Sequence, residues 1–210
     1  MKKILLPVIA ASALLITACG EVTVTDLTDE ITPTDVIVEP VVANYNVEAS
    51  ASTLEWQGTD ATDDTHFHSG LIGIKSGSIE TTDGMITGGS IVIDMSALTY
   101  TAGFSKGNAM DSESEAVANL WGHFSDTAFL NNITFPEATY TITGCDDTGV
   151  MGTLNVAGTD IELTIPGTPV VTEEGVSHTA DFDVDLASAV PYLAGGGFGI
   201  SMKLNLTAGK

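Results

Sequence analysis

The sequence predicts an all-β fold of about eight antiparallel strands that form a closed barrel or a sandwich. Apolar and polar residues alternate with a period of two along much of the chain after residue 45. Turn-forming segments such as Thr82-Asp83-Gly84 separate these stretches. The 22 glycines, together with only 6% aromatic residues, are also typical of strands joined by turns.

Residues 1–18 have the pattern of a secretory signal peptide. Lys2 and Lys3 precede an apolar stretch over 4–16, which is too short to span a bilayer. The segment ends in Ile16-Thr17-Ala18-Cys19, which resembles the lipobox of bacterial lipoproteins. This predicts a lipidated Cys19 that anchors the mature chain to the cell envelope, and Gly20 after it implies the outer membrane. A plain signal peptide cleaved at another small residue is the alternative.

The composition of residues 19–44 predicts an extended acidic tether. The stretch is rich in Thr, Asp, Glu and Val and contains Pro33 and Pro40. Such a composition repels itself and favours an extended spacer. We therefore assign one folded domain to residues 45–210.

Within this domain the alternating pattern predicts a series of strands. In the first part of the domain they are expected near 45–58, 66–79, 85–95, 136–144 and 150–157. Alternation of apolar with polar residues predicts three more, near 160–165, 180–185 and 198–207.

One segment follows a helical period instead. Ser112 and Glu115 have the spacing of a capping box, and apolar residues follow at i, i+3, i+4 and i+7. This predicts a short amphipathic helix over 113–124 that packs as a lid across one end of the fold. A gate over an apolar interior is the functional version of the same geometry.

Composition excludes several classes of function. The chain carries 28 acidic residues against 6 lysines and no arginine, a formal charge of −22, so nucleic acid is not an expected partner. A phosphate loop, a dinucleotide fingerprint and a Cys-x-x-Cys pair are all missing from the sequence. We expect no catalytic residues and no enzyme.

Three sets of polar residues resemble metal or reactive sites, but structural roles are favoured for each. His66 and His68 lie two apart, and a metal shared with His123 is one interpretation, but polar contacts at a barrel mouth are favoured. Asp181, Asp183 and Asp185 predict a solvated strand face, because the loop spacing of calcium sites is missing. Cys145 next to a turn is expected to be a small, partly buried thiol.

The order of several short motifs resembles the YceI family. The resemblance covers roughly residues 45–206. It is carried by Trp56-x-Gly58, His68-x-Gly70, the run from Gly88 to Met95, Leu120-x-Gly122-His123-Phe124, Phe135-Pro136-x-Ala138-Thr139-Tyr140, Gly152-Thr153-Leu154 and Phe182-x-Val184-Asp185.

This resemblance implies an eight-stranded antiparallel lipocalin-like barrel that binds a polyisoprenoid lipid in its interior. Because arginine is absent and few lysines are present, composition favours a neutral head group such as an isoprenoid quinone over a polyprenyl pyrophosphate. A barrel filled by its own side chains, acting as a surface interaction or stress-response module, is the alternative. Candidate cavity residues are Trp56, Ile91, Ile93, Phe129, Tyr140, Ile142, Leu154, Phe182, Ile200 and Met202.

Overall fold

The structure is a computed structural model that describes residues 39–105, 108–109, 115–190, 192–193 and 197–210. The predicted signal peptide, Cys19, the tether up to residue 38 and the capping residue Ser112 lie outside the described residues.

The described residues form eleven strands and one helix. The sheet begins at Val42, three residues before the predicted start of the domain at residue 45. The strands are β1 (Val42–Val47), β2 (Thr53–Asp60), β3 (Asp63–Thr82), β4 (Met85–Ser105), β5 (Asn108–Ala109), β6 (Glu137–Cys145), β7 (Gly149–Val156), β8 (Thr159–Pro166), β9 (Val170–Val171), β10 (Gly175–Asp183) and β11 (Phe198–Gly209), and the helix is α1 (Glu115–Ser125).

Eight strand positions surround the barrel. Their order is β8, β7, β6, β4, β3, then β1 and β2 together, then β11 and β10. β1 and β2 share one position because β1 pairs with residues 78–82 of β3, whereas β2 pairs with residues 63–72 of the same strand. All pairs are antiparallel, as the sequence predicted. The predicted barrel with one short helix is confirmed.

The sequence did not predict the break between β1 and β2, which it assigned to one strand over 45–58. Ser52 explains how the break is held. Its side-chain hydroxyl donates a hydrogen bond to the Thr207 carbonyl at 3.3 Å and accepts one from the Thr207 amide at 3.0 Å. The side chain of Ser52 thus replaces a backbone ladder pair, and the chain stays attached to β11 while it turns.

β3 and β4 form a long bent hairpin. Asp83 and Gly84 at its tip have φ values of 53° and 78°, which suits the tight turn predicted there. The pairing register shifts at four places, between Ser69 and Gly70, within Leu71–Gly73, within Ile74–Ser76 and between Glu80 and Thr81. Such bulges bend strands and increase their twist, so the hairpin follows the curve of the barrel. β3 extends three residues beyond each end of the predicted range 66–79, and β4 starts where predicted but continues ten residues beyond 95.

The helix packs on the barrel through its apolar face. Val117 is 1% exposed and Phe124 5% exposed. The Phe124 ring meets the ring of Trp56 edge-on, with centroids 5.5 Å apart. Among the described residues, no helix has the length and apolarity needed to cross a bilayer.

Candidate apolar cavity in the barrel

The barrel encloses a cavity of about 500 Å³ beneath α1, here called the main cavity. A smaller space of about 60 Å³, the inner cavity, adjoins it. The two spaces are neighbours in the barrel interior, because five residues line both: Leu54, Ile93, Leu154, Val184 and Met202. The walls are mainly apolar because the inward positions of the alternating strands carry apolar side chains.

Nine of the ten sequence-predicted residues lie at these cavities. Trp56, Ile93, Phe129, Leu154, Ile200 and Met202 line the main cavity. Ile91, Tyr140 and Phe182 line the inner cavity. Ile142 is buried in the core and lines neither space.

Tyr140 belongs to the wall rather than to a polar subsite. Its hydroxyl lies 2.7 Å from the Val150 carbonyl and 3.0 Å from the Leu163 carbonyl, so it links β7 and β8. Burial raises the pKa of this phenol far above its ordinary value. The hydroxyl is therefore neutral and engaged with the backbone.

Aromatic rings crowd the helix end of the main cavity. Phe124 lies 5.6 Å from Phe129 and 5.4 Å from Trp121, measured between ring centroids. Phe129 in turn lies 5.7 Å from Tyr192, which is 55% exposed. These rings form an apolar rim to which both the helix and the segment after β10 contribute.

The three histidines also lie at this rim. The rings of His66 and His68 are 5.3 Å apart, and that of His123 is 5.8 Å from Tyr192. Burial, with smaller contributions from His66 and His123, lowers the pKa of His68, which is therefore neutral at pH 7. Within the described ranges, no three His, Cys, Asp or Glu side chains converge as metal ligands.

Two polar atoms at the cavity wall lack a hydrogen-bond partner among the described residues. They are Trp56 Nε1 and His68 Nδ1. The indole of Trp56 lies close over its cross-strand partner Gly70. An ideal Cβ on that glycine would stand only 2.7 Å from Trp56 Nε1. Gly70 thus gives the indole its place in the wall.

Charged groups remain outside the main cavity. Lys75 contacts Glu137 on the outer surface, and Lys203 is exposed on β11. Asp181 and Asp183 point outward from β10 and are exposed, as expected for a solvated face. No lysine of the described residues lines the cavity, and arginine is absent from the chain. Cys145 is partly buried, and burial raises the pKa of its thiol.

Sequence reasoning missed several lining residues. Met95 continues the alternation of Ile91 and Ile93, so the same pattern could have identified it. Leu98 follows after a break in the period, where β4 is bulged. Leu186 and Leu193 come from an irregular segment that has no periodic signal.

Comparisons with known proteins agree with this architecture. The model of the YceI-like domain family matches residues 45–207. No curated protein sequence matches the chain significantly.

Two solved structures are similar to the chain. A polyisoprenoid-binding domain from Saccharophagus degradans, described as implicated in plant cell wall breakdown, is 16% identical with a TM-score of 0.52, over 79% of this chain and 97% of that one. BcnA of Burkholderia cenocepacia is 12% identical with a TM-score of 0.48, over 77% of this chain and 98% of that one. The first shows the shared fold. With a family match over most of its length, this chain belongs to the YceI family.

Proposed function

We propose that this protein binds an isoprenoid-type lipid by enclosing its hydrocarbon chain in the barrel cavity. The observation that carries the proposal is the continuous apolar space of about 500 Å³ beneath α1. Pockets that enclose small ligands commonly measure roughly 300–1,000 Å³. Each buried methylene contributes on the order of 0.8 kcal/mol, so binding needs no catalytic group.

Membership of the family supports the isoprenoid class, as does the description of the Saccharophagus degradans domain as polyisoprenoid-binding. A barrel filled by its own side chains, the alternative from the sequence, is disfavoured by the cavity volume.

The charges favour a neutral head group, and we assign an isoprenoid quinone ahead of a polyprenyl pyrophosphate. A pyrophosphate needs cationic side chains to neutralise it. Lysine is missing from the cavity lining among the described residues, and His68 is neutral at pH 7 because burial lowers its pKa.

The test is the lipid that the protein carries when it is isolated from its native membrane without detergent exchange. Native mass spectrometry, with extraction and the quinone absorbance spectrum, is expected to show one isoprenoid quinone per chain. A stoichiometric polyprenyl pyrophosphate would contradict the head-group assignment. Finding no isoprenoid lipid, and no uptake of added short-chain prenyl quinone, would contradict the function.

We further propose that Cys19 is lipidated after cleavage of residues 1–18 and anchors the barrel to the outer membrane through the acidic tether. The lipobox-like residues before Cys19 support this. Replacing Cys19→Ser is expected to release the protein from the membrane fraction and to abolish incorporation of labelled fatty acid. Continued membrane attachment of that variant would refute the anchor.

A further inference from the structure

The barrel is not hydrogen-bonded all the way around. β8 pairs only with β7, and β10 pairs with β11 on one side and, at Val176 and Ser177 alone, with β9 on the other. The two strands meet where His178 Nε2 donates to the Pro166 carbonyl at 2.9 Å. Both strands are described over their full lengths. Beyond that contact, β8 and β10 form no backbone ladder pairs with each other.

Four inward side chains beside this seam are only partly buried. They are Ile161 and Leu163 on β8, and Ala180 and Phe182 on β10. We call this group the β8–β10 window.

Along β10 the partial exposure of inward side chains is confined to Ala180 and Phe182. On one side of the window, Ile165 is 6% and His178 5% exposed, and on the other side Val184 is 7% exposed. On the neighbouring strand β7, Leu154 and Val156 are 7% and 5% exposed. The thin part of the wall is therefore bounded by buried residues at both ends on β10 and at the Ile165 end on β8.

The window leads into the apolar interior. Leu163 and Phe182 both line the inner cavity, which adjoins the main cavity at Leu154 and Met202. A hydrocarbon chain that passed between β8 and β10 would remain in contact with apolar side chains along its path.

Carboxylates on the outer face oppose closure of the seam. Asp160 and Glu162 on β8 are exposed, as are Asp181 and Asp183 on β10, and Lys203 stands beside Asp181 in the register of β11. Like charges on adjacent strands disfavour their pairing.

Three of these carboxylates are also held by partners on their own side of the seam. Glu162 accepts from Thr153 at 3.0 Å, Asp160 from Asn155 at 2.6 Å, and Asp183 from Ser201 at 2.8 Å. These contacts direct the carboxylates away from the opposite strand.

We infer that the β8–β10 window is the passage through which the hydrocarbon chain of the lipid enters and leaves the barrel. The inference rests on the proposed function. It assigns a role to the acidic face of β10, whose charges disfavour pairing with the acidic outer face of β8.

The test bridges the window covalently. Glu162→Cys and Asp181→Cys are introduced into the chain with Cys19 and Cys145 replaced by Ser, and are joined by a short cleavable thiol-reactive linker. The control joins Thr153→Cys to Glu162→Cys, which are register partners across the paired strands β7 and β8. Uptake and release of a short-chain prenylated benzoquinone are followed by absorbance of the protein-bound fraction after rapid desalting.

Bridging the window is expected to slow uptake and release about tenfold or more without changing the equilibrium affinity, because a closed passage limits both rates equally. Cleavage of the linker is expected to restore both rates, and the control is expected to remain within about twofold of the unlinked protein.

Unchanged rates in the linked window variant would overturn the passage and assign the route to the helix end. Rates that stay slow after cleavage would overturn it too, since the effect would then be damage rather than closure. Failure of the unlinked protein to take up any quinone would contradict the proposed function, whereas normal uptake by the linked protein contradicts the passage alone.

Discussion

At the scale of single residues, Gly70 determines whether the cavity wall can form. An ideal Cβ at this position would lie 1.6 Å from the Thr99 carbonyl oxygen and 2.7 Å from Trp56 Nε1. The first of these atoms belongs to the backbone, so β4 itself would have to move.

Gly70→Ala is therefore expected to destabilise the protein by about 1–3 kcal/mol, as overpacking does, and to weaken lipid binding by displacing Trp56. Gly58→Ala is the control, because its Cβ would meet only Ile200 Cδ1, at an ordinary 3.6 Å. Chemical denaturation of both variants measures the difference, and equal stabilities would refute the assigned role of Gly70.

Met202 offers a test of the cavity at the same scale, because it lines both the main and the inner cavity. Met202→Trp fills space that the lipid chain would occupy, so quinone affinity is expected to fall about tenfold or more. Asn205→Trp places the same side chain on the exposed face of β11 and is expected to leave affinity unchanged. Titration with a short-chain prenyl quinone distinguishes the two, and unaltered binding by Met202→Trp would place the ligand elsewhere.

His178 predicts how stability depends on pH. Burial lowers the pKa of this histidine below its usual 6.5, opposed by its hydrogen bond to the Pro166 carbonyl. The unfolded chain therefore binds a proton more readily than the folded chain in this range. The stabilisation is complete above the usual pKa, and the free energy of unfolding falls as pH decreases from about 7 toward 5.

His178→Gln keeps an N–H donor for Pro166 but does not titrate, so it is expected to reduce this slope, leaving the contribution of His68, whose pKa burial also lowers. Thr179→Gln, an exposed neighbour on β10, is expected to keep it. Denaturation at several pH values provides the measurement, and a slope identical in the two variants would contradict the assignment.

At the scale of elements, the sequence predicted most strands because alternation directly reflects which face of a strand is buried. The ranges 136–144 and 150–157 agree with β6 and β7, and the helix predicted over 113–124 is observed as α1. The break at Ser52 was not predictable, because its partner Thr207 lies 155 residues away in sequence. β5 and β9 are two-residue strands, too short for any periodicity.

Alternation also explains which cavity-lining residues could be predicted. Inward positions such as Leu154 and Ile200 were identified by alternation, whereas Leu186 and Leu193 were missed, because tertiary packing alone brings their irregular segment to the cavity. Alternation likewise gave no warning that β8 and β10 remain unpaired, since it reports burial and not the neighbour of a strand.

At the scale of the whole molecule, occupation of the cavity should stabilise the fold. A ligand that binds only the folded state at 100 times its Kd contributes about 2.7 kcal/mol. For a chain of this size, each kcal/mol raises Tm by roughly 2–4 °C. Saturating short-chain prenyl quinone is thus expected to raise Tm by about 5–10 °C.

Differential scanning calorimetry measures this shift, and the Met202→Trp variant, with its affinity reduced tenfold or more, should show about half of it or less. A wild-type Tm that stays constant across a quinone titration would argue against binding to the folded barrel.

The placement of the indole rings has a practical consequence. The chain contains two tryptophans, Trp56 in the wall of the main cavity and Trp121 against Phe124, whose ring also lines it. Both chromophores therefore stand close to the space where a quinone would reside. The intrinsic fluorescence of the unlabelled protein should be quenched as quinone fills the barrel. Tryptophan emission would therefore report the occupancy of the cavity without an added label.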